Sequence, residues 1–268
     1  MSISKRAKYL LASILGIGLA FIYVPLSIVV INSFNASKTF SWPPKNLTFS
    51  WWQKAIENTG VREALGWSII AGLFATLIAL ILGTCLAFAV GRYEFFGKET
   101  ISLLVVLPIS LPGIVTGLAL NNAFTQTLGI GTSIFTIVIG HATFCIVIVY
   151  NNAIARLKRM GTSLQEASMD LGANGFTTFR LITLPNISSA LFAGGLLAFG
   201  LSFDEIVVTT FTAGPGIQTL PVWIFNNLFR PNQAPIVNVV AATLVVVSIL
   251  PIYLSQRLST DSATGGRI

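Results

Sequence analysis

Residues 163–185 read SLQEASMDLGANGFTTFRLITLP, a polar island in a chain that is 54% hydrophobic and only 9% charged. An ordinary soluble domain carries about 25% charged residues, so this stretch departs from surroundings that are themselves unusual. Ser163 with Glu166 three residues on has the form of a capping box, which predicts a helix start at Ser163. Gly172 predicts its stop after about nine residues, with GANG as the turn. A second helical piece, FTTFRLIT, runs into Pro185, which is expected to end it. The first piece is only about 14 Å long, too short and too polar to cross a bilayer. Leu164, Ala167, Ser168 and Leu171 form a narrow stripe of small and apolar side chains at helical spacing, with Gln165, Glu166 and Asp170 beside it. Small residues let another protein's backbone come close, although a surface helix resting on its own bundle has the same periodicity.

Working outward, the rest of the 268 residues fall into apolar runs, and the mean hydropathy is +0.80. A hydrocarbon core of about 30 Å needs about 20 helical residues, and six such runs occur: 9–31, 66–90, 101–120, 132–155, 188–211 and 236–254. Unbroken apolarity over these lengths predicts an all-α, multi-pass membrane protein, since barrel strands alternate over about ten residues. The six spans are read as one transmembrane domain over 1–268, with a cytoplasmic loop at 156–187.

Basic residues are retained on the cytoplasmic side. With the N-terminus inside, eleven of the sixteen Lys and Arg fall in inside segments, among them Lys5, Arg92, Arg156, Arg180 and Arg257. Both termini are therefore predicted cytoplasmic, and the +7 charge reflects topology. Basic residues scattered over helix ends do not make a nucleic-acid surface. The first run exceeds a signal-peptide core and lacks a small-residue cleavage site, so it is read as a retained span. Cys85 and Cys145 lie singly within spans and predict packing, not a disulfide. The loop from 32 to 65 carries Trp42, Trp51 and Trp52, which predict a short amphipathic element anchored at the outer interface.

Two spans carry unusual chemistry. In the third, Pro108 and Pro112 are followed by Gly113 and Gly117, a pattern that predicts a bend, beside a translocation path or as a packing kink. In the fifth, Asp204 and Glu205 are costly inside a membrane and predict a cavity or a partner. On a continuous helix Glu205 shares its face with Ser202, Thr209 and Thr212, which makes Glu205 the candidate lining residue for a cationic solute. Asp204 would assist it or pair with another subunit, and an acid pair that caps the outer helix end is the plainer alternative. His141 has no neighbouring acid or cysteine pair in sequence and is read as packed and hydrogen-bonded. GRYEFFGKET, residues 91–100, fails as a phosphate loop, with five residues between its glycines and Glu99 where Ser or Thr would bind magnesium. No catalytic or metal-binding constellation is found.

The string Glu166-Ala167-Ser168, then Gly172, then Ile182, Leu184 and Pro185, resembles the EAA…G…I-LP signature of ABC-type importer permeases. Ser168 departs from it, standing where that family more often has Ala. FFGK, LPISLPGIVTGLAL, SFDEIVVTTF and LPVWIF extend the resemblance to the polyamine (spermidine/putrescine) branch. The resemblance implies a type I importer permease in the bacterial inner membrane, transport of a small cationic solute such as putrescine or spermidine, and no enzymatic activity. It implies that Glu166, Ala167, Ser168, Gly172, Ile182, Leu184 and Pro185 couple to a cytoplasmic ATPase dimer, which binds ATP and magnesium while this chain carries no cofactor. A second permease chain and an extracytoplasmic solute-binding protein complete the implied assembly. Related branches move iron, sulfate, thiamine, opine-like or amino-acid-like solutes on similar scaffolds. A self-contained secondary transporter would show an inverted repeat with coupling residues in both halves, whereas acids occur only in span five.

Overall fold

The computed structural model describes residues 4–38, 42–230 and 232–247, and among them the only extended pairing is one isolated bridge, Asn35 to Leu47. The helices are α1 Lys5–Asn32, α2 Ser50–Glu57, α3 Thr59–Arg92, α4 Lys98–Ser110, α5 Gly113–Asn122, α6 Ile134–Arg159, α7 Ser163–Asp170, α8 Gly175–Thr178, α9 Leu184–Phe203, α10 Val207–Thr212, α11 Leu220–Asn227 and α12 Ala234–Val247. A π-helical turn, Ala123–Thr127, extends α5, and another, Phe179–Thr183, joins α8 to α9. Four helical runs are long and apolar enough to cross a membrane: α1, α3, α6 and the continuous run Gly175–Phe203. The pair α4 and α5 passes the same test together, bent by 104°. α12 covers the start of the sixth predicted span, whose remainder, 248–254, lies outside the described residues.

The chain divides into two compact units. One holds the described residues within 1–62 and 224–252. Here α1 begins at Ser4, whose hydroxyl accepts from the Ala7 amide, and its most apolar stretch has no buried residue. The short amphipathic element expected in the 32–65 loop is α2, and two of that loop's three tryptophans pack within the protein. Trp51 is buried, with the Lys54 ammonium 4.6 Å from its ring centroid, and Trp52 stacks on Phe34 at 5.2 Å. Phe34 also meets Phe49 edge-on at 5.2 Å, so Phe34, Phe49 and Trp52 make an aromatic cluster; of the three tryptophans Trp42 alone is exposed.

The other unit, which contains residues 63–223, is a bundle in which α6 is central. α3 presents small residues, including Ala71, Ala75, Ala79 and Ala87, and all four are fully buried. Small side chains let helix backbones approach closely, which supplies the van der Waals contact that association in lipid depends on. Ala75 and Ala79 pack with Phe144, Cys145, Val149 and Ala198 in one cluster, and Ala87 with Tyr150, Ala153, Leu157 and Ile187 in a second. Both cysteines are free, and Cys145 donates to the Ala198 carbonyl across the α6–α9 contact.

Candidate functional site

α7 forms where the sequence places it, but not by the expected cap. The capping position is Thr162, in helical geometry with no side-chain cap bond. Ser163 is already inside the first turn, so its hydroxyl comes one residue too late for a capping box, and Glu166 lies in the first turn, where a carboxylate meets the positive end of the helix dipole. The stop is as expected: Gly172 adopts φ +85°, the left-handed conformation that closes a helix C-terminus. Its amide and that of Ala173 return to the carbonyls of Met169 and Ser168 at 2.9 and 3.1 Å.

The faces of α7 differ from the sequence stripe. Gln165 is buried and its amide donates to the Thr183 hydroxyl at 2.8 Å, while Ser168 turns inward to the Thr178 hydroxyl at 3.1 Å. Leu164, Glu166, Ala167 and Leu171 face outward with Gly172, and Leu171 is 90% exposed. The inner contacts end on the segment around the π turn, where Ile182 and Leu184 are half-buried and Pro185 is exposed.

Pro185 does not end the second helical piece. The Leu184 amide bonds back five residues to Phe179, and the run continues as α9. A proline lacks an amide and its ring crowds the preceding turn; widening that turn to π geometry accommodates both. The loop helix is thereby bonded to a helical run of 29 residues. Two basic residues read only as topology markers brace the same region. Arg92 donates to the carbonyls of Leu157, Met160 and Gly161, each at 3.3 Å, and Arg156 to that of Asn186 at 3.1 Å. A cation at a helix C-terminus is the signal that sequence reading passed over.

At the far end of the run, the expected continuous span to Phe211 is absent. α9 stops at Phe203, Asp204 sits at φ −90°, ψ 0°, and α10 starts at Val207. The Glu205 carboxylate accepts from the Val208 amide at 2.8 Å, supplying the bond that the helix ladder gives up. Glu205 is half-buried, whereas Asp204 is exposed and its side chain has no partner among the described residues. Ser202 and Thr209, expected along a path with Glu205, are buried, and their hydroxyls are taken by His141: Nδ1 lies 2.7 Å from Ser202 Oγ and Nε2 2.8 Å from Thr209 Oγ1. The packed, hydrogen-bonded histidine is as expected.

The third span is also two helices. Leu111 is extended, ψ 144°, as a residue before proline tends to be. Pro112 is the cap residue before α5, while Pro108 remains inside α4, so of the two prolines only Pro112 makes the break. Gly113 and Gly117 face α10: a Cβ on Gly117 would lie 2.7 Å from Phe211, and one on Gly113 3.5 Å from Val207. The Asn121 amide donates to the Phe211 carbonyl at 2.6 Å. The two interrupted spans thus converge, with α10 packed on both α5 and α6. Interrupted backbone at membrane depth is tolerated where it lines a cavity or is covered by protein.

Residues 79–261 match the family described as binding-protein-dependent transport system inner membrane component. The chain belongs to that family. It is 33% identical over 247 residues to the spermidine/putrescine transport system permease protein PotC of Escherichia coli, covering 92% of each chain. It is 34% identical over 255 residues to the putrescine transport system permease protein PotI of the same organism, covering 91% of this chain and 90% of that one. Its fold matches a chain of a bacterial ABC transporter involved in the import of the acidic polysaccharide alginate, with a TM-score of 0.72 at 16% identity over 97% of this chain and 99% of that one. The protein is therefore a multi-pass transport permease and not an enzyme. Within this permease, α7 and the break at 204–206 occupy the two ends of one helical run.

Proposed function

We propose that this permease translocates a polyamine such as putrescine or spermidine across the bacterial inner membrane. It works with a cytoplasmic ATPase dimer that binds ATP and magnesium, a second and different permease chain, and an extracytoplasmic solute-binding protein. The supporting observation is the likeness, over nine-tenths of both chains, to two permeases named for spermidine and putrescine. The outward face of α7, with Glu166, Ala167 and Leu171, meets the ATPase, and Gly172 gives that helix its end. Gln165 and, more weakly, Ser168 tie α7 to the segment that becomes the fifth span, and Ile182, Leu184 and Pro185 form the π turn and helix start through which that segment couples to it. At the break, Glu205 lines the path and Asp204, the more open carboxylate, assists in attracting an amine cation.

Labelled putrescine and spermidine uptake into proteoliposomes holding all four components, with and without ATP, tests this reading. ATP-dependent accumulation of either amine is expected. Hydrolysis stimulated by the loaded binding protein with some other solute only would overturn the polyamine assignment while leaving the permease role. Glu205→Gln should slow uptake with the complex still assembled; unchanged uptake would remove Glu205 from the path.

A further inference from the structure

We infer that His141 is the positioning residue for the carboxylates at the break: by bonding one hydroxyl on each arm, its imidazole sets where Asp204 and Glu205 stand. This rests on the reading that those carboxylates meet the solute.

Among the described residues, His141 alone bonds side chains on both sides of 204–206, Ser202 before it and Thr209 after it. The donor count fixes the direction of the chain. Thr209 Oγ1 donates its one hydrogen to the Glu205 carbonyl at 2.8 Å, so it can only accept from the imidazole. Nε2 therefore carries a proton. A neutral imidazole then accepts at Nδ1 from Ser202, and each hydrogen in the series Ser202, His141, Thr209, Glu205 carbonyl has one acceptor. The series ends on the backbone of Glu205 itself, whose carboxylate is in turn held by the Val208 amide.

The site around His141 is enclosed. The residue is 0% exposed, and a Cβ on the preceding Gly140 would come 3.2 Å from Val208 of α10. A second tie between α6 and α10, from the Thr136 hydroxyl to the Thr212 carbonyl at 2.7 Å, holds α10 but does not reach α9. Packing on α5 and α6 holds each arm separately, and His141 is the side chain that joins the two, α9 through Ser202 and α10 through Thr209. A fully satisfied buried polar network specifies one geometry, and a solute site needs its charged groups in one place.

The experiment measures solute imported per ATP hydrolysed, with the full complex in proteoliposomes, for wild type, His141→Ala, Thr209→Val and Thr209→Ser. The ratio is independent of how much complex folds, so a loss of folded complex alone does not move it, and the paired Thr209 variants separate loss of the hydroxyl from loss of packing. We expect it to fall about ten-fold in His141→Ala and Thr209→Val and to stay within about two-fold of wild type in Thr209→Ser, which keeps the hydroxyl. Uptake and hydrolysis falling together at a constant ratio would overturn the inference, as would equal behaviour of the Val and Ser variants. A wild-type complex that imports neither polyamine defeats the solute assignment instead, and the same ratios are then read with the solute it does import.

Discussion

At its loop end the run Gly175–Phe203 passes Pro185 without breaking, whereas at its other end it stops at Phe203 with no proline nearby. The difference lies in where the backbone bonds go. Around Pro185 the Leu184 amide reaches back five residues, so helical bonding survives the missing donor. At 204–206 the Glu205 carboxylate takes the Val208 amide, an alternative that lets the ladder end. In a membrane every backbone polar group must be satisfied within the protein. A helix there continues or stops according to which substitute bond its neighbours supply, and residue type alone does not decide it.

The comparison can be broken most severely at the break end. There α10 is held in place sterically as well as by hydrogen bonds, because Gly117 leaves no space beneath Phe211. Gly117→Val should cost about 3 kcal/mol, the upper range for overpacking, read as a lowered thermal midpoint of the purified complex in detergent. Gly200→Val, in the same bundle but with nothing within 4 Å of the added Cβ, should change the midpoint little. Equal losses at the two positions would mean that the α5–α10 contact is not what holds the broken span.

A smaller effect sharpens the loop end. Gln165→Leu removes the donor to Thr183, a hydroxyl with no exposure, and should cost about 1.5 kcal/mol through an unsatisfied buried group. Combined with Thr183→Val, the loss should be clearly less than the sum of the two single changes, since the double variant strands neither group. Strict additivity would show that the two side chains do not depend on each other. In the same variants, ATP hydrolysis by the complex should respond less to the loaded binding protein, because α7 is then less firmly tied to the fifth span.

Much of this was legible in the sequence, and the gaps have a common cause. Composition and run length give the spans, because burial in lipid acts on every residue of a helix. The Gly172 stop is readable because a positive φ selects glycine. By contrast, the break after Phe203 is invisible to periodicity: AFGLSFDEIVVTTF holds no proline and its polar residues fit the spacing of a continuous helix, while at the break one carboxylate accepts from an amide three residues ahead. The link between His141, Ser202 and Thr209 spans more than sixty residues of sequence, so no local pattern could announce it. Pro185 was misread for a similar reason, since a π turn has no sequence signature that distinguishes it from a helix end. Ser168 shows the limit of helical wheels: spacing tells which residues share a face but not whether that face looks inward.

The smallest expected effect belongs to Ser168→Ala. The change removes one hydroxyl pair, Ser168 to Thr178 at 3.1 Å, at a partly buried position. Such a bond is worth about 0.5–1.5 kcal/mol, while alanine gains about 0.5 kcal/mol over serine in helix propensity. The gain offsets part of the loss and leaves at most about 1 kcal/mol, less than for Gln165→Leu, so the thermal midpoint should fall only slightly and the coupling of ATP hydrolysis to uptake should stay close to wild type. That would leave Gln165 as the side chain that ties α7 to the π turn. A loss as large as that of Gln165→Leu would instead mean that the loop helix is held at two points, one turn apart, and that its rotation about its own axis is fixed as firmly as its position.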